Sequence, residues 1–161
     1  MARISNARDM MPRFDLVQAA DLQSALDILA AHENAAWVIG GGQDSFDWFK
    51  DRAKQPEVVV DLNAVEELRG VREQEDGGLE IGSLTTLAEL QDDPMVNERF
   101  SLLSSAAGRV ASPQIRNVGT LGGNLCQDTR CWYYRQGLNC YRAGGNTCYA
   151  NTPEGLNREH C

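Results

Sequence analysis

The residues with the clearest chemical potential are five cysteines in the carboxy-terminal part of the chain. They are Cys126, Cys131, Cys140, Cys148 and Cys161. Thiolate is the preferred ligand of iron–sulfur clusters and a common ligand of zinc. Cys131, Cys140 and Cys148 are separated by nine and eight positions, whereas zinc sites usually contain closely paired cysteines. The spacing therefore favours an iron–sulfur cluster over structural zinc.

Two glycine-rich turns have the composition of anion-binding sites. The first, GGGQD at residues 40–44, follows a short apolar segment, and the second, NVGTLGGN at residues 117–124, precedes Cys126. Glycine lets backbone N–H groups converge on a phosphate because no Cβ keeps the ligand away. The contiguous glycines differ from the G-x-G-x-x-G pattern of a Rossmann fold, and an ordinary tight turn is the alternative interpretation.

The preceding chain predicts helices and strands that would position these turns. Apolar residues at helical spacing predict an amphipathic helix over residues 21–31. Segments 36–39 and 58–62 predict buried strands, and a short helix over 45–53 between them favours parallel pairing. The polar segment 73–78 predicts a hairpin turn, and the alternation at residues 79–82 predicts a half-buried strand after it.

Further helices are predicted before the second glycine turn. Thr85 or Thr86 is suited to cap a helix that extends to about Gln91. The apolar residues of segment 97–109 fall on one side of another predicted helix. Pro113 is expected to end helical structure before the glycine turn begins.

The amino-acid composition restricts the binding partners and the cellular location that can be expected for this protein. The chain has 161 residues, 42% of them hydrophobic, which is enough for a buried core. A net charge of -8 argues against nucleic-acid binding, which needs clustered cationic side chains. No apolar run approaches the roughly 20 residues of a membrane span, and the amino terminus lacks the apolar centre of a signal peptide. We therefore predict a cytoplasmic protein, in whose reducing environment clustered thiols indicate metal or redox chemistry.

Three motifs in order resemble one known family. GGGQD at 40–44, IGSLTTL at 81–87 and IRNVGTLGGN at 115–124 resemble the FAD-binding subunit of the molybdenum hydroxylases, the xanthine dehydrogenase and carbon monoxide dehydrogenase group. The likeness extends over the chain from about Phe14. Residues 124–134, NLCQDTRCWYY, are similar to a subset typified by the 4-hydroxybenzoyl-CoA reductase β subunit. Members of that subset insert a cysteine-bearing loop that holds an additional 4Fe-4S cluster.

The resemblance implies particular cofactor-binding residues. The FAD pyrophosphate would be held by backbone N–H groups and the Thr120 hydroxyl, from the residues Gly40, Gly41, Gly42, Gln43, Asp44, Thr120, Gly122, Gly123 and Asn124. The cluster ligands would be Cys131, Cys140, Cys148 and Cys161. Cys126 competes with Cys161 for the fourth position, and its alternative interpretation is a small buried residue.

The implied fold is an α+β FAD-binding domain with two small lobes, the second incomplete. Its predicted parts are an amino-terminal lobe at 1–70, a second lobe at 71–125 and a cysteine-rich iron–sulfur segment at 126–161. Family members continue well beyond this segment, which implies a truncated chain or a second polypeptide that completes the domain. The expected partners are a molybdopterin-binding large subunit and a 2Fe-2S small subunit.

The implied function is electron transfer between iron–sulfur centres and flavin in an oxidoreductase. Substrate chemistry would take place on the molybdenum-containing partner, and no residue of this chain is predicted to act as a general acid or base. Two alternatives stay open from the residues alone. One is a non-catalytic zinc or iron–sulfur binding or assembly module, and the other is a stand-alone flavoprotein whose cysteines are merely buried.

Overall fold

The computed structural model describes residues 11–151, and in this part of the chain helices and strands are mixed. The strands are β1 (Asp15–Gln18), β2 (Ala36–Ile39), β3 (Val58–Asp61), β4 (Val71–Glu73) and β5 (Leu79–Ile81). The α-helices are α1 (Leu22–His32), α2 (Ser45–Lys50), α3 (Leu87–Asp92), α4 (Pro94–Arg99), α5 (Ser101–Ala107), α6 (Pro113–Arg116), α7 (Leu121–Leu125) and α8 (Trp132–Arg135). The predicted α+β class is confirmed. No helix among these residues is long and apolar enough to cross a membrane.

The described residues fall into two compact units. The sheet unit comprises Phe14–Asp44 and Pro56–Gln127. The cysteine unit contains Ser45–Gln55 together with residues 11–13 and 128–151. The division of the chain after residues 70 and 125 stays a prediction.

A three-stranded parallel sheet forms one part of the sheet unit. Its order is β1-β3-β2, so that Val58 of the central strand is in register with both Asp15 and Ala36. The predicted parallel pairing of the two apolar strands is confirmed. Val59 and Val60 are fully buried, which is typical of the central strand of a parallel sheet.

Helix α1 covers one face of this sheet. Asp21 caps its first turn by accepting a hydrogen bond from the Ser24 N–H at 2.7 Å, and the Ser24 hydroxyl completes a reciprocal capping box. Ala25 of the helix packs with Val58 and Val60 in one apolar cluster. The helical periodicity of the sequence therefore predicted the helix. Its apolar face is only partly buried, because Leu22 and Leu26 are 38% and 50% exposed whereas Ala25 and Leu29 pack in the cluster.

A second apolar cluster lies beneath the β4–β5 hairpin. The hairpin is antiparallel, as predicted, and α3 begins at the Thr86 cap with Glu89 completing the capping box. Leu90 and Val96 are completely buried in this cluster. Burying a side chain of that kind stabilises the fold by roughly 1.5–3 kcal/mol.

Two helix predictions require correction. The single helix expected over 97–109 is in fact α4 and α5, because the backbone at Phe100 leaves the helical region with φ -134° and ψ 47°. Pro113 does not end helical structure but begins α6, after the Ser112 cap. Proline fits the first helical position because its missing N–H would have no partner there.

Candidate functional site

The two predicted glycine turns meet in the sheet unit. A Cβ placed on Gly41 would lie 1.9 Å from the Val118 carbonyl oxygen, and one on Gly40 would lie 3.1 Å from Thr120 Oγ1. Real Cβ atoms never approach a backbone oxygen so closely, so only glycine fits at position 41. The sequence predicted that this glycine lets a ligand approach, whereas the structure shows that the protein's own backbone occupies the space.

The first glycine turn presents unused hydrogen-bond donors. Within residues 11–151 the backbone N–H groups of Gly41, Gly42 and Gln43 donate no hydrogen bond to the protein. Gly42 is buried and has a φ of 69°, a conformation that favours glycine. Successive N–H groups around such a residue form a concave anion-binding site. The geometry is therefore compatible with a phosphate at this turn.

The position of this turn is fixed by a residue that sequence reasoning missed. The Asn63 side-chain amide donates to the Gly40 carbonyl at 3.0 Å and to Asp61 Oδ1 at 2.7 Å. Gln127 similarly donates to Asp44 Oδ1 at 3.1 Å, across 83 positions of sequence. Asn63 belongs to no recognisable motif, and although Gln127 lies in the segment 124–134, no local signal indicated its bond to Asp44.

The second glycine turn is more ordered than an open loop. Thr120 is the cap of α7, where its buried hydroxyl oxygen accepts from the Gly123 N–H at 3.2 Å. The Leu121 and Gly122 N–H groups donate to the carbonyls of Thr85 and Ser83, each at 2.8 Å. These donors therefore hold the second turn against the 81–87 motif, and the unused donors lie in the first turn.

The cysteine unit contains a cavity of about 170 Å³. Its lining residues are Thr129, Cys131, Tyr133, Tyr134, Cys140, Tyr141, Arg142, Cys148, Tyr149 and Ala150. Cys131 and Cys140 are buried, with 8% and 7% of their surface exposed, and Cys148 is half-buried. The structure thus brings three of the four predicted cluster ligands to one cavity.

The same part of the chain shows no ready-made site for a single ion. Among residues 11–151, no group of three or more His, Cys, Asp or Glu side chains is arranged to hold one metal ion. In a 4Fe-4S cluster the thiolates bind different iron atoms, so they need not converge on one point. The cavity shared by the cysteines is therefore the relevant geometric feature.

Of the two candidates for the fourth ligand, Cys126 lies among the described residues. Cys126 lies in the sheet unit and is an exposed free thiol, so its interpretation as a small buried residue is wrong. It follows α7, which ends at Leu125, and is not held in an apolar core. Cys161 lies outside the described residues.

A charge network adjoins the cavity. Lys54 Nζ lies 2.8 Å from the Tyr134 hydroxyl and 3.2 Å from Asp128 Oδ2, and the Arg142 guanidinium binds Asp128 Oδ1 at 2.5 Å. Burial alone would raise the pKa of Asp128, but hydrogen bonds from the Thr129 N–H, Arg142 and Lys54 outweigh it and hold that pKa below its usual value. The Asp128 carboxylate therefore stays ionised between its two cations.

The pKa of Lys54 moves in the complementary direction. Burial would lower this pKa, but the hydrogen bonds with Tyr134 and Asp128 outweigh the burial and raise it above the usual value. The ammonium group also lies over the rings of Trp48 and Tyr134, at 6.0 and 5.4 Å from the centroids. Lys54 is therefore held in its charged form.

Helix α2 contributes a further set of ion pairs to the cysteine unit. Arg135 contacts Asp51 at 2.6 Å and lies 5.3 Å from the Trp48 ring centroid, while Arg130 contacts Asp47 at 3.4 Å. Trp48 itself is buried. These pairs join residues about 80 positions apart, so no local pattern could have identified them.

Comparison with known proteins places this geometry in a family. Residues 12–132 match the family model described as the FAD binding domain in molybdopterin dehydrogenase. The chain is 39% identical over 109 residues to a putative xanthine dehydrogenase FAD-binding subunit of Escherichia coli K12, which covers 68% of this chain and 37% of that relative.

Two solved structures agree with this result. Carbon monoxide dehydrogenase from Hydrogenophaga pseudoflava superimposes with a TM-score of 0.68 at 36% identity, covering 72% of this chain and 40% of that chain. Quinoline 2-oxidoreductase from Pseudomonas putida 86 gives 0.69 at 31% identity, with 76% and 41% covered. This chain therefore spans about two fifths of the length of these relatives. It belongs to the family of FAD-binding domains of the molybdopterin dehydrogenases.

Proposed function

We propose that this chain is the FAD-binding, electron-transferring part of a molybdenum-dependent hydroxylase or dehydrogenase. The observation that carries the proposal is the set of unused N–H donors in the first glycine turn, which the contact of Gly41 with the Val118 carbonyl holds beside the second turn. Membership of the family supports the same cofactor. Substrate oxidation would take place on a molybdopterin-binding large subunit, and a 2Fe-2S small subunit would complete the path of electrons.

The FAD pyrophosphate would be bound chiefly at the first glycine turn. The Gly41, Gly42 and Gln43 N–H groups have no protein acceptor among the described residues, so a phosphate oxygen would satisfy them. Thr120 would add a hydroxyl, since its oxygen accepts from Gly123 while its own proton is still available to a ligand. FAD supplies the redox-active ring, whereas this chain binds and orients the cofactor. Backbone donors explain how a chain with a net charge of -8 would hold an anionic cofactor.

A 4Fe-4S cluster would be bound in the cysteine cavity. Cys131, Cys140 and Cys148 would each ligate one iron, and the burial of Cys131 and Cys140 would shield the cluster from water. Cys161 is proposed as the fourth ligand, with Cys126 as the competing candidate. Four tyrosines in the cavity wall, of which Tyr133 and Tyr149 stack at 5.9 Å, give the aromatic surroundings that keep such a cluster dry.

The proposal is tested by anaerobic purification of the chain with its partner subunits, followed by flavin, iron and sulfide analysis. We expect bound FAD and four irons and four sulfides beyond those of the other centres. Cys140→Ser should lower iron and sulfide content while FAD is retained, because a serine oxygen is a poorer ligand for iron than thiolate. The proposed cluster is refuted if iron and sulfide content stays at the wild-type level in all three single variants, Cys131→Ser, Cys140→Ser and Cys148→Ser.

The fourth ligand is assigned by a matched pair of variants. Cys161→Ser should lower the iron content as Cys140→Ser does, whereas Cys126→Ser should leave it unchanged. The opposite pattern would assign the role to Cys126. Stoichiometric zinc with no iron in the aerobic and anaerobic proteins would favour the alternative of a zinc-binding module.

A further inference from the structure

Arg142 carries a positive charge beside the cysteine cavity. Of the described residues that line the cavity, only Arg142 carries a charge. Its side chain is 57% exposed, and a solvent-exposed arginine normally samples many conformations. Here the guanidinium is anchored to Asp128 Oδ1 and also lies 5.9 Å from the Tyr134 ring centroid. The charge is therefore fixed beside the cavity.

Asp128 lies at the centre of a cluster of charged side chains that includes Arg142. Its side chain is only 13% exposed and binds both Arg142 and Lys54. Lys54 in turn binds the hydroxyl of Tyr134, which is another residue of the cavity wall. Two cations share one carboxylate, so the three side chains together carry one net positive charge. Arg142 belongs to the cavity lining and Asp128 does not, but the lining is almost entirely apolar, so this net charge lies behind the cavity wall and not on its surface.

We propose that Lys54, Asp128 and Arg142 form a positioning triad that holds positive charge against the cysteine cavity and raises the reduction potential of the cluster bound there. This inference rests on the proposed cluster in that cavity. One-electron reduction adds a negative charge to a cluster that is already anionic, and a fixed cation nearby stabilises the reduced form more than the oxidised form. Arg142 supplies the charge, and Asp128 and Lys54 fix its position.

The first test is a redox titration of the assembled enzyme with dithionite as the electron donor, monitored by electron paramagnetic resonance. Arg142→Gln should lower the cluster midpoint potential by about 59 mV, which is a tenfold change in a one-electron equilibrium. Arg142→Lys should restore most of the wild-type potential because it keeps the charge. Lys50→Gln removes a positive charge from an exposed position of α2 outside the cavity lining and serves as the control, with an expected potential close to wild type. An unchanged potential in Arg142→Gln, or an equal shift in Lys50→Gln, would overturn the inference.

The second test asks whether Asp128 positions Arg142. In an Asp128→Asn background the Arg142 side chain loses its anchor, so Arg142→Gln should then shift the potential by less than half as much as in wild type. This double-mutant comparison cancels the direct effect of the lost carboxylate charge. Equal shifts in the two backgrounds would show that Asp128 has no positioning role and would refute the triad.

The two proposals fail in distinguishable ways. A wild-type enzyme without the additional iron and sulfide contradicts the proposed cluster, and the triad is then refuted with it. Full iron and sulfide content with the same midpoint potential in wild type and Arg142→Gln refutes the triad while the cluster stands. The exposed position of Arg142 makes loss of folding in its variants a poor explanation of either result.

Discussion

The substitution Gly41→Ala adds one methyl group at the point where the two glycine turns meet. The new Cβ would lie 1.9 Å from the Val118 oxygen and 2.7 Å from the Val118 carbonyl carbon. Carbon and oxygen atoms in tight backbone contacts stay about 3.3 Å apart or more, so one turn must move by more than about 1 Å. Backbone atoms cannot rotate out of the way as a side chain can. We therefore place the cost at the upper end of overpacking, at about 3 kcal/mol.

Thermal unfolding and FAD content of the assembled enzyme measure this effect. For a chain of this size, about 3 kcal/mol corresponds to a melting temperature lower by roughly 6–12 °C. FAD content should fall as well, because the Gly41–Val118 contact fixes the unused N–H donors. Gly78→Ala is the matched control, since its Cβ would meet only side-chain atoms of Asp76, the nearest at 3.0 Å, whereas Gly41→Ala meets backbone atoms. A Gly41→Ala protein that melts no lower than Gly78→Ala and keeps its FAD would refute the reasoning.

Two other predictions concern the cysteine unit. Asp128→Asn should destabilise the protein by about 2 kcal/mol at pH 7, because hydrogen bonds to a charged group are lost. Because folding lowers the pKa of Asp128, the stability difference between wild type and Asp128→Asn should persist down to about pH 4 and then disappear as wild-type Asp128 protonates. A difference in melting temperature that is constant from pH 7 to pH 3 would contradict this prediction. Segment 131–150 should dock a partner subunit, since Trp132 and Tyr141 are 59% and 67% exposed and such aromatics are enriched at interfaces. Hydrogen exchange of this segment should slow in the assembled enzyme, and Trp132→Ala should weaken assembly by about 2 kcal/mol. Equal exchange rates with and without the partner subunits would rule out docking at this segment.

The sequence by itself determined the local elements of this protein and its family. Asp21 and Thr86 mark helix starts because a cap acts within one turn, so its signal lies within a few residues. The apolar segments and the helical spacing of apolar residues similarly predicted β2, β3, the hairpin and α1. The order of the glycine motifs was sufficient to identify the FAD-binding family, later supported over residues 12–132.

The local sequence did not decide the secondary structure where one residue pattern was compatible with two different structures. The segment 97–109 has helical spacing throughout, and only the backbone conformation at Phe100 divides it. Pro113 is incompatible with a helix interior but favourable at a helix start, and the Ser112 cap decides between these positions. The glycines near Thr120 fit a loop or the first turn of α7, and hydrogen bonds to Ser83 and Thr85 select the helix.

Only the tertiary structure decided how the site is assembled. The contact of Gly41 with Val118, the bond from Gln127 to Asp44 and the bridge of Asp128 between Lys54 and Arg142 all join parts of the chain that are distant or separated by other elements. Such contacts depend on the path of the backbone, and neither residue type nor spacing encodes them. The sequence could therefore name the glycines and cysteines, whereas the amides and charges that hold them became visible only when the folded chain brought them together.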